Sequence, residues 1–268
     1  MGARLDQHYL VDTAVRDAIA AAARVSAGDS VLEIGPGRGI LTAALLPRAR
    51  AVVAVELDGL LAAQLAAALG GPANLRVVNA DFLQFDLGSL GPGPWKVAAN
   101  LPYAVATPIL QRILPWPDWS LAVLMFQKEV AERIAAEPGG ADYGLLTLSV
   151  AIHATVELVC EASRECFRPR PKVASAVVLL RRRPVPLVCA CEQAAFFRVA
   201  KVAFGQRRKM ALGVLARGLS LEKEKVAAAF AELGIAPSAR AEEIPFELWR
   251  GLARSLGTQY SIPSQPEG

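Results

Sequence analysis

At 268 residues, just over half of them apolar, the chain is long enough for one large domain with a smaller appendage. No uninterrupted apolar run approaches the ~18 residues of a membrane span, and "MGARLDQHYLVD" meets an acid and a histidine before a secretory signal could build. A soluble, cytoplasmic monomer with no membrane role is expected. The net charge of +4 is unevenly placed. Arg164, Arg168, Arg170, Lys172, Arg181, Arg182 and Arg183 face the single acid Glu165 in their stretch, and Arg198 to Arg217 holds six basic residues and no acid. Such clustering suits a polyanion, although a solvated basic face fits it about as well.

Short apolar runs at Val31 to Ile34, Ala51 to Val55, Leu75 to Val78, Lys96 to Ala99 and Leu121 to Met125 each end in a turn signal or a helical pattern. This alternation predicts α/β architecture: a Rossmann-like, doubly wound, mostly parallel sheet. Two later β-rich runs, Thr155 to Cys160 and Ala174 to Leu180, are separated by a Pro-rich loop and are expected to pair antiparallel at one edge. After "RRRPVP" (181 to 186) the apolar spacing is helical only: Phe196, Val199, Val202 and Ala203; Met210, Leu212 and Leu215; Val226, Phe230 and Leu233; Phe246, Trp249, Leu252 and Leu256. The boundaries that follow are 1–183 for a catalytic domain, 184–258 for a small all-helical domain and 259–268 for a polar tail expected to fray. Cys160, Cys166, Cys189 and Cys191 match no zinc ligand spacing, so no metal is expected and reduced thiols are the preferred reading.

In "VLEIGPGRGILTAALL" a strand ends at Glu33, and Gly35, Gly37 and Gly39 lead directly into a helix, as where a nucleotide-like ligand crosses a strand's carboxyl end. Ile40 stands where the dinucleotide fingerprint needs its last glycine, and no Gly-Lys-Ser/Thr follows, so neither a pyrophosphate loop nor a Walker loop is met. Glu56 closes the second strand about 20 residues on, suited to accept from two ribose hydroxyls; Asp81 closes the third, suited to accept from an adenine amine. Adenine and ribose without phosphate fit S-adenosylmethionine. The fourth strand ends in "NLPY" (100 to 103). The Asn100 side-chain oxygen and the Leu101 carbonyl, on a turn stiffened by Pro102, are two acceptors for one planar amine, and Tyr103 offers a face on which a flipped base can stack.

"DQHYL", "EIGPGRG", "VELD", "NADFL" and "NLPY", with "FRPRPKVASAVV" and "AFGQRRKM", together resemble the KsgA-type ribosomal RNA adenine dimethyltransferases over residues 6 to about 255. "LAVLMFQKEVAERI" and "ADYGLLTL" look most like the archaeal branch. The resemblance implies a class I methyltransferase domain, a helical domain, S-adenosylmethionine as cofactor, and dimethylation of two adjacent adenosines near the 3′ end of small-subunit (16S) rRNA in an assembling 30S particle. Carried over, His8 and Leu10 belong to the segment covering the cofactor, Gly35 and Gly37 to the glycine loop, Glu56 to the ribose, Asp81 to the adenine, and Asn100 to the amine and cofactor. Phe167 corresponds to a second aromatic lining the target-base pocket, though a core position suits it equally.

Arg168, Arg170 and Lys172 are expected to meet RNA, and "GQRRKMAL" (205 to 212) to open a helix whose Arg207, Arg208 and Lys209 face phosphate. Two departures from the family are visible. Only "MGARLD" precedes the Gln-His motif, with Asp6 where Gly is common, so rim contacts to RNA should be thinner; Tyr9 replaces the usual Phe and keeps the ring. The rival readings are a macrolide-resistance-type 23S rRNA methylase, against which "FxPxPKVxSAVV" and "GQRRKM" speak, and a ribosome-assembly or RNA-binding factor whose catalysis is dispensable.

Overall fold

The computed structural model describes residues 7–257, so Asp6 and the tail expected to fray lie outside the described residues. In chain order the elements are β1 (Tyr9–Leu10), α1 (Thr13–Ala22), β2 (Ser30–Ile34), α2 (Ile40–Leu45), β3 (Ala51–Glu56), α3 (Gly59–Ala68), β4 (Leu75–Asn79) and β5 (Trp95–Asn100). These are followed by α4 (Ala106–Ile113), β6 (Trp119–Gln127), α5 (Lys128–Ile134), α6 (Leu145–His153), β7 (Ala154–Ala162), β8 (Phe167–Arg168) and β9 (Ser175–Arg182). Helices α7 (Ala190–Phe204), α8 (Ala211–Gly218), α9 (Lys223–Glu232) and α10 (Phe246–Gly257) complete the described chain. No helix among the described residues is long and apolar enough to cross a membrane.

The doubly wound sheet expected from the strand alternation is present, with seven strands in the order β4-β3-β2-β5-β6-β9-β7. The first five run parallel, and β9 is antiparallel to both β6 and β7. Strand β2 is buried along its whole length and β3 from its second residue on, which is why both read as continuous apolar runs instead of alternating ones. The chain winds from β2 outward to β4 and then returns to place β5 on β2's other side. That reversal opens a crevice beyond the carboxyl ends of β2 and β5, the usual place for a ligand in such sheets.

A two-stranded ribbon ties the N-terminal segment down: Tyr9 pairs with Arg168 and Leu10 with Phe167. The Val11 amide donates to the Cys166 carbonyl at 2.8 Å, and His8 Nδ1 lies 2.8 Å from the Pro169 carbonyl oxygen. Residues 8 to 11 are thus held by a loop more than 150 positions away in sequence.

The chain divides into two compact units, the smaller taking Ala136–Ile152 together with residues from Val185 on. Its core gathers Leu148, Ile152, Phe196, Leu215, Phe230 and Trp249. The sequence boundary at 184 therefore differs from the packing: most of α6 buries its apolar side among the C-terminal helices. Met210 also departs from the helical pattern assigned to it, since it caps α8 from outside and is exposed. The cysteines need a correction as well. Cys160 and Cys166 are free, but Cys189 and Cys191 form a disulfide, their Cα atoms 5.4 Å apart at the start of α7 and within bridging range.

Candidate active site

The glycine loop after β2 takes a path closed to other residues. Gly35, Gly37 and Gly39 have φ of +65°, +56° and +79°. A Cβ on Gly37 would stand 3.0 Å from the Tyr9 ring, and one on Gly39 2.6 Å from a Leu65 methyl of α3. The loop is drawn toward β3 because the Gly37 amide donates to Glu56 Oε2 at 2.9 Å, while Glu56 Oε1 accepts from the Asp58 amide at 2.9 Å. Glu56 is buried, and two backbone amides offset the cost of burying its charge. A carboxylate offers about four acceptor directions, so roughly two remain for ligand hydroxyls. Asp58, two residues on, is spent differently: it caps α3 by accepting from the Leu60 and Leu61 amides.

Two adjoining clefts, both open to solvent, lie over these strand ends. They share Gln7, Gly35, Glu56 and Pro102, so Glu56 stands at their junction. One is walled by Ile34, Val55, Leu57, Phe82 and Ile109 with Asp81 beside them, an apolar slot with a carboxylate. Asp81 is itself braced, accepting from the Leu83 amide at 2.9 Å and the Gln84 side chain at 3.2 Å. The other is the polar half, lined by His8, Tyr9, Leu10, Glu33, Asn100 and Tyr103 among others.

Asn100 ends β5, and its Nδ2 donates to the His8 carbonyl at 3.2 Å. That bond commits the nitrogen to the N-terminal segment and leaves Oδ1 as an acceptor on the amide's other edge. Leu101 is almost wholly buried and anchors the turn; Pro102, at φ −60°, leads into a short 3₁₀ turn from Tyr103 to Val105. Tyr103 is fixed at both ends: its hydroxyl is 2.6 Å from Ser175 Oγ at the start of β9, and its ring centroid is 5.6 Å from that of His8. An Asn, a Pro and a Tyr together at the end of a buried strand thus form a rigid acceptor beside a held aromatic face.

Two expectations are corrected. Phe167 does not line the cavities; it is fully buried in a core cluster with Leu10, Val15 and Ile19. Side chains alternate along β8, so pairing with β1 turns Phe167 inward and Arg168 outward. The run 205 to 209 does not open a helix: α8 begins at Ala211, and the basic residues form the turn before it. There Arg207 donates to the Ala141 carbonyl at 2.8 Å, lies 3.9 Å from Glu242 and rests against the Phe204 ring, whereas Arg208 and Lys209 are exposed. In the other basic stretch, Arg168 donates to the Glu165 and Phe167 carbonyls, Arg170 pairs with Glu165, and Lys172 is exposed.

Four contributors to the cleft escape the sequence reading. Gln7 lines both cavities and accepts from the Tyr9 hydroxyl at 2.6 Å. Arg38 sits 4.7 Å over the Tyr9 ring. Ser175 holds Tyr103. Glu33 is 1% exposed. Burial pushes the Glu33 carboxyl up to about 8; the Thr42 hydroxyl and amide oppose the rise, and the neighbouring Glu56 charge adds to it. Of these, Gln7 carries a signal in the sequence, its adjacency to His8.

The cleft fits S-adenosylmethionine on its own terms. Any side chain in the Gly37 cradle would be strained, Glu56 keeps acceptor capacity at the junction, an apolar slot carries an acceptor, and buried Glu33 has an oxygen, Oε2, with no hydrogen-bond partner among the described residues. The ribosomal RNA adenine dimethylase family model matches residues 2–257. The chain is 42% identical over 262 residues to the ribosomal RNA small subunit methyltransferase A of Moorella thermoacetica, covering 93% of this chain and 90% of the relative. It is 40% identical over 266 residues to the protein of that name from Synechococcus elongatus, covering 95% and 94%. These relatives are bacterial, in contrast to the archaeal likeness of residues 121–134 and 141–148.

Among solved structures, the 23S rRNA methyltransferase ErmE is 31% identical with a TM-score of 0.75, covering 92% of this chain and 99% of that one. A dimethyladenosine transferase from Plasmodium falciparum is 26% identical with a TM-score of 0.78, covering 92% and 97%. With sequence, fold and cleft in agreement, the chain belongs to the ribosomal RNA adenine dimethylase family, whose cofactor is S-adenosylmethionine.

Proposed function

We propose that the protein dimethylates N6 of two adjacent adenosines near the 3′ end of small-subunit rRNA, acting as a cytoplasmic monomer on an assembling 30S particle. The observation that carries the chemistry is the Asn100 amide, whose nitrogen is committed to the His8 carbonyl at 3.2 Å and whose oxygen is left to accept. Bound S-adenosylmethionine supplies an electrophilic methyl group. Asn100 Oδ1 and the Leu101 carbonyl accept the two hydrogens of the adenine amine and so turn its lone pair toward the cleft. Tyr103, its hydroxyl against Ser175 and its ring against His8, stacks on the extruded base. The nitrogen loses its proton after transfer, so no general base is required. Glu56 accepts from the ribose hydroxyls and Asp81 from the cofactor's adenine, with His8, Leu10, Gly35 and Gly37 closing around the rest. Arg168, Arg170, Lys172, Arg208 and Lys209 meet phosphate, and Arg207 braces the loop that carries two of them.

The small-subunit assignment is supported by relatives at 40 and 42% identity that bear that name. A second reading, modification of 23S rRNA, draws on the likeness to ErmE at 31% identity. Transfer of labelled methyl to immature small subunits and to large-subunit rRNA, followed by nucleoside analysis, separates them. Label recovered as N6,N6-dimethyladenosine from small-subunit rRNA alone is the expected result; label in 23S rRNA alone would reverse the assignment.

A further inference from the structure

Cys189 and Cys191 take no part in methyl transfer, yet their surroundings are unlike those of the other two cysteines. Cys160 and Cys166 are free and partly buried, whereas both members of the bridged pair, and Ala190 between them, are exposed. The bridge is not needed to hold the turn. Val188 is fully buried in the helical core, the Gln193 side chain donates to its carbonyl at 3.3 Å, and the Glu192 and Gln193 amides donate to the Cys189 carbonyl at 2.9 and 3.1 Å. A cross-link that spans a single residue also removes less chain entropy from the unfolded state than any longer one.

Its position favours chemistry instead. Cys189 is the N-cap of α7, which is 15 residues long, and its side chain makes no capping hydrogen bond. Breaking the bridge there releases a thiolate at the positive end of a helix, where an acceptor is missing. Cys191, but not Cys189, lines a cleft with Glu192, Phe196, Arg250 and Arg254. The two arginines lie one turn apart on α10 and share the single carboxylate of Glu192, at 3.8 and 2.8 Å. Arg250 Nε has no hydrogen-bond partner among the described residues. A wall with a surplus of positive charge thus stands beside an accessible disulfide sulfur.

We propose that Cys191 is a thiol-exchange site for anionic low-molecular-weight thiols, which enter this cleft and form a mixed disulfide at its Sγ while Cys189 departs. Arg250 and Arg254 attract the carboxylates of the incoming molecule. Its thiolate attacks Cys191 Sγ, the bond to Cys189 breaks, and the electron pair leaves with Cys189, which stays a thiolate or takes the proton that the small thiol gave up. A second thiol attacking the mixed disulfide yields the Cys189/Cys191 dithiol and one small disulfide, so two thiols are oxidised as one bridge is reduced. The direction follows from the geometry. Cys191 meets the entering group, and the sulfur that leaves is the one whose thiolate the helix stabilises. In the cytoplasm proposed above, bridges that form are usually transient, catalytic or redox-sensing, which suits an exposed pair of this kind.

The test uses the full chain isolated without reductant and depends on neither the cofactor nor the rRNA assignment. Glutathione (net negative), 2-mercaptoethanol (neutral) and cysteamine (positive) are each reacted with the protein, and samples are quenched in acid and mapped by peptide mass spectrometry. Each rate is divided by that of the same thiol with a small uncharged disulfide, which removes differences in intrinsic reactivity. The expected result is a glutathione adduct on Cys191 and a normalised rate about tenfold above that of cysteamine. That advantage should vanish at high salt and in the Arg250→Gln/Arg254→Gln variant. Because the mixed disulfide is short-lived, Cys189→Ser is also treated with glutathione disulfide and should retain the adduct on Cys191. Free thiols at both positions in the isolated protein, no exchange, equal normalised rates for the three thiols, or an adduct chiefly on Cys189 would each overturn the proposal. The wild-type rates and their salt dependence stand whether or not the arginine variant folds.

Discussion

The strand-end cleft and the basic loop before α8 handle polar groups in opposite ways. In the cleft each polar group assigned to transfer has a fixed partner: Glu56 is held by two amides, Asn100 by the His8 carbonyl, and Tyr103 by Ser175. In the loop Arg207 is locked to Ala141, but Arg208 and Lys209 project into solvent. The difference follows from what each region must do. Transfer of one methyl group requires reacting atoms placed to within a few tenths of an ångström, whereas a polyanion is attracted by charge that need not be rigid. Glu33 stands apart from both patterns, as a buried acid with one oxygen, Oε2, left without a hydrogen-bond partner among the described residues.

The comparison can be broken by substitution, and the largest effect should fall on neither region. Phe167→Ala removes a fully buried ring from the core and should cost about 3–5 kcal/mol in urea unfolding. The methyl-transfer rate per folded molecule should hardly change. A variant of normal stability with lost turnover would return Phe167 to the base pocket.

Next, Glu56→Ala should raise the cofactor's dissociation constant by one to two decades, because bonds to a charged acceptor contribute about 1.5–3 kcal/mol. Calorimetry showing unchanged affinity would remove Glu56 from the site. The smallest effect belongs to the loop. Arg208→Ala and Lys209→Ala should each lower the slope of log affinity for RNA against log salt by about one, with cofactor binding untouched. An Arg207→Ala variant with the same slope change and unaltered stability would blur the contrast drawn between brace and phosphate contact.

How far the sequence carries the account depends on the range of the interactions involved. The glycine loop, Glu56, Asp81 and "NLPY" are legible because each is defined by its neighbours at a strand end, and the strands announce themselves as buried apolar runs. Phe167 is not, since its inward direction is set by pairing with Leu10, remote in the chain. Arg207 is misread for the same reason: its carbonyl partner Ala141 is 66 residues distant. The apolar pattern of α6 is plain in "LLTLSVAI", but which core it joins is decided only when the C-terminal helices pack around Leu148 and Ile152. The orphaned oxygen of Glu33 was likewise invisible, because a carboxylate at the end of a strand reads the same whether or not a partner awaits it.

The most direct test of the account addresses Asn100. With wild-type and Asn100→Ala proteins bound to the same immature small subunits and saturated with cofactor, the single-turnover rate of methyl transfer is measured alongside RNA affinity. The account predicts a loss of about 10²–10³ or more in the rate at saturating cofactor with RNA affinity preserved; an unchanged rate, or equal loss of rate and RNA binding, would contradict it.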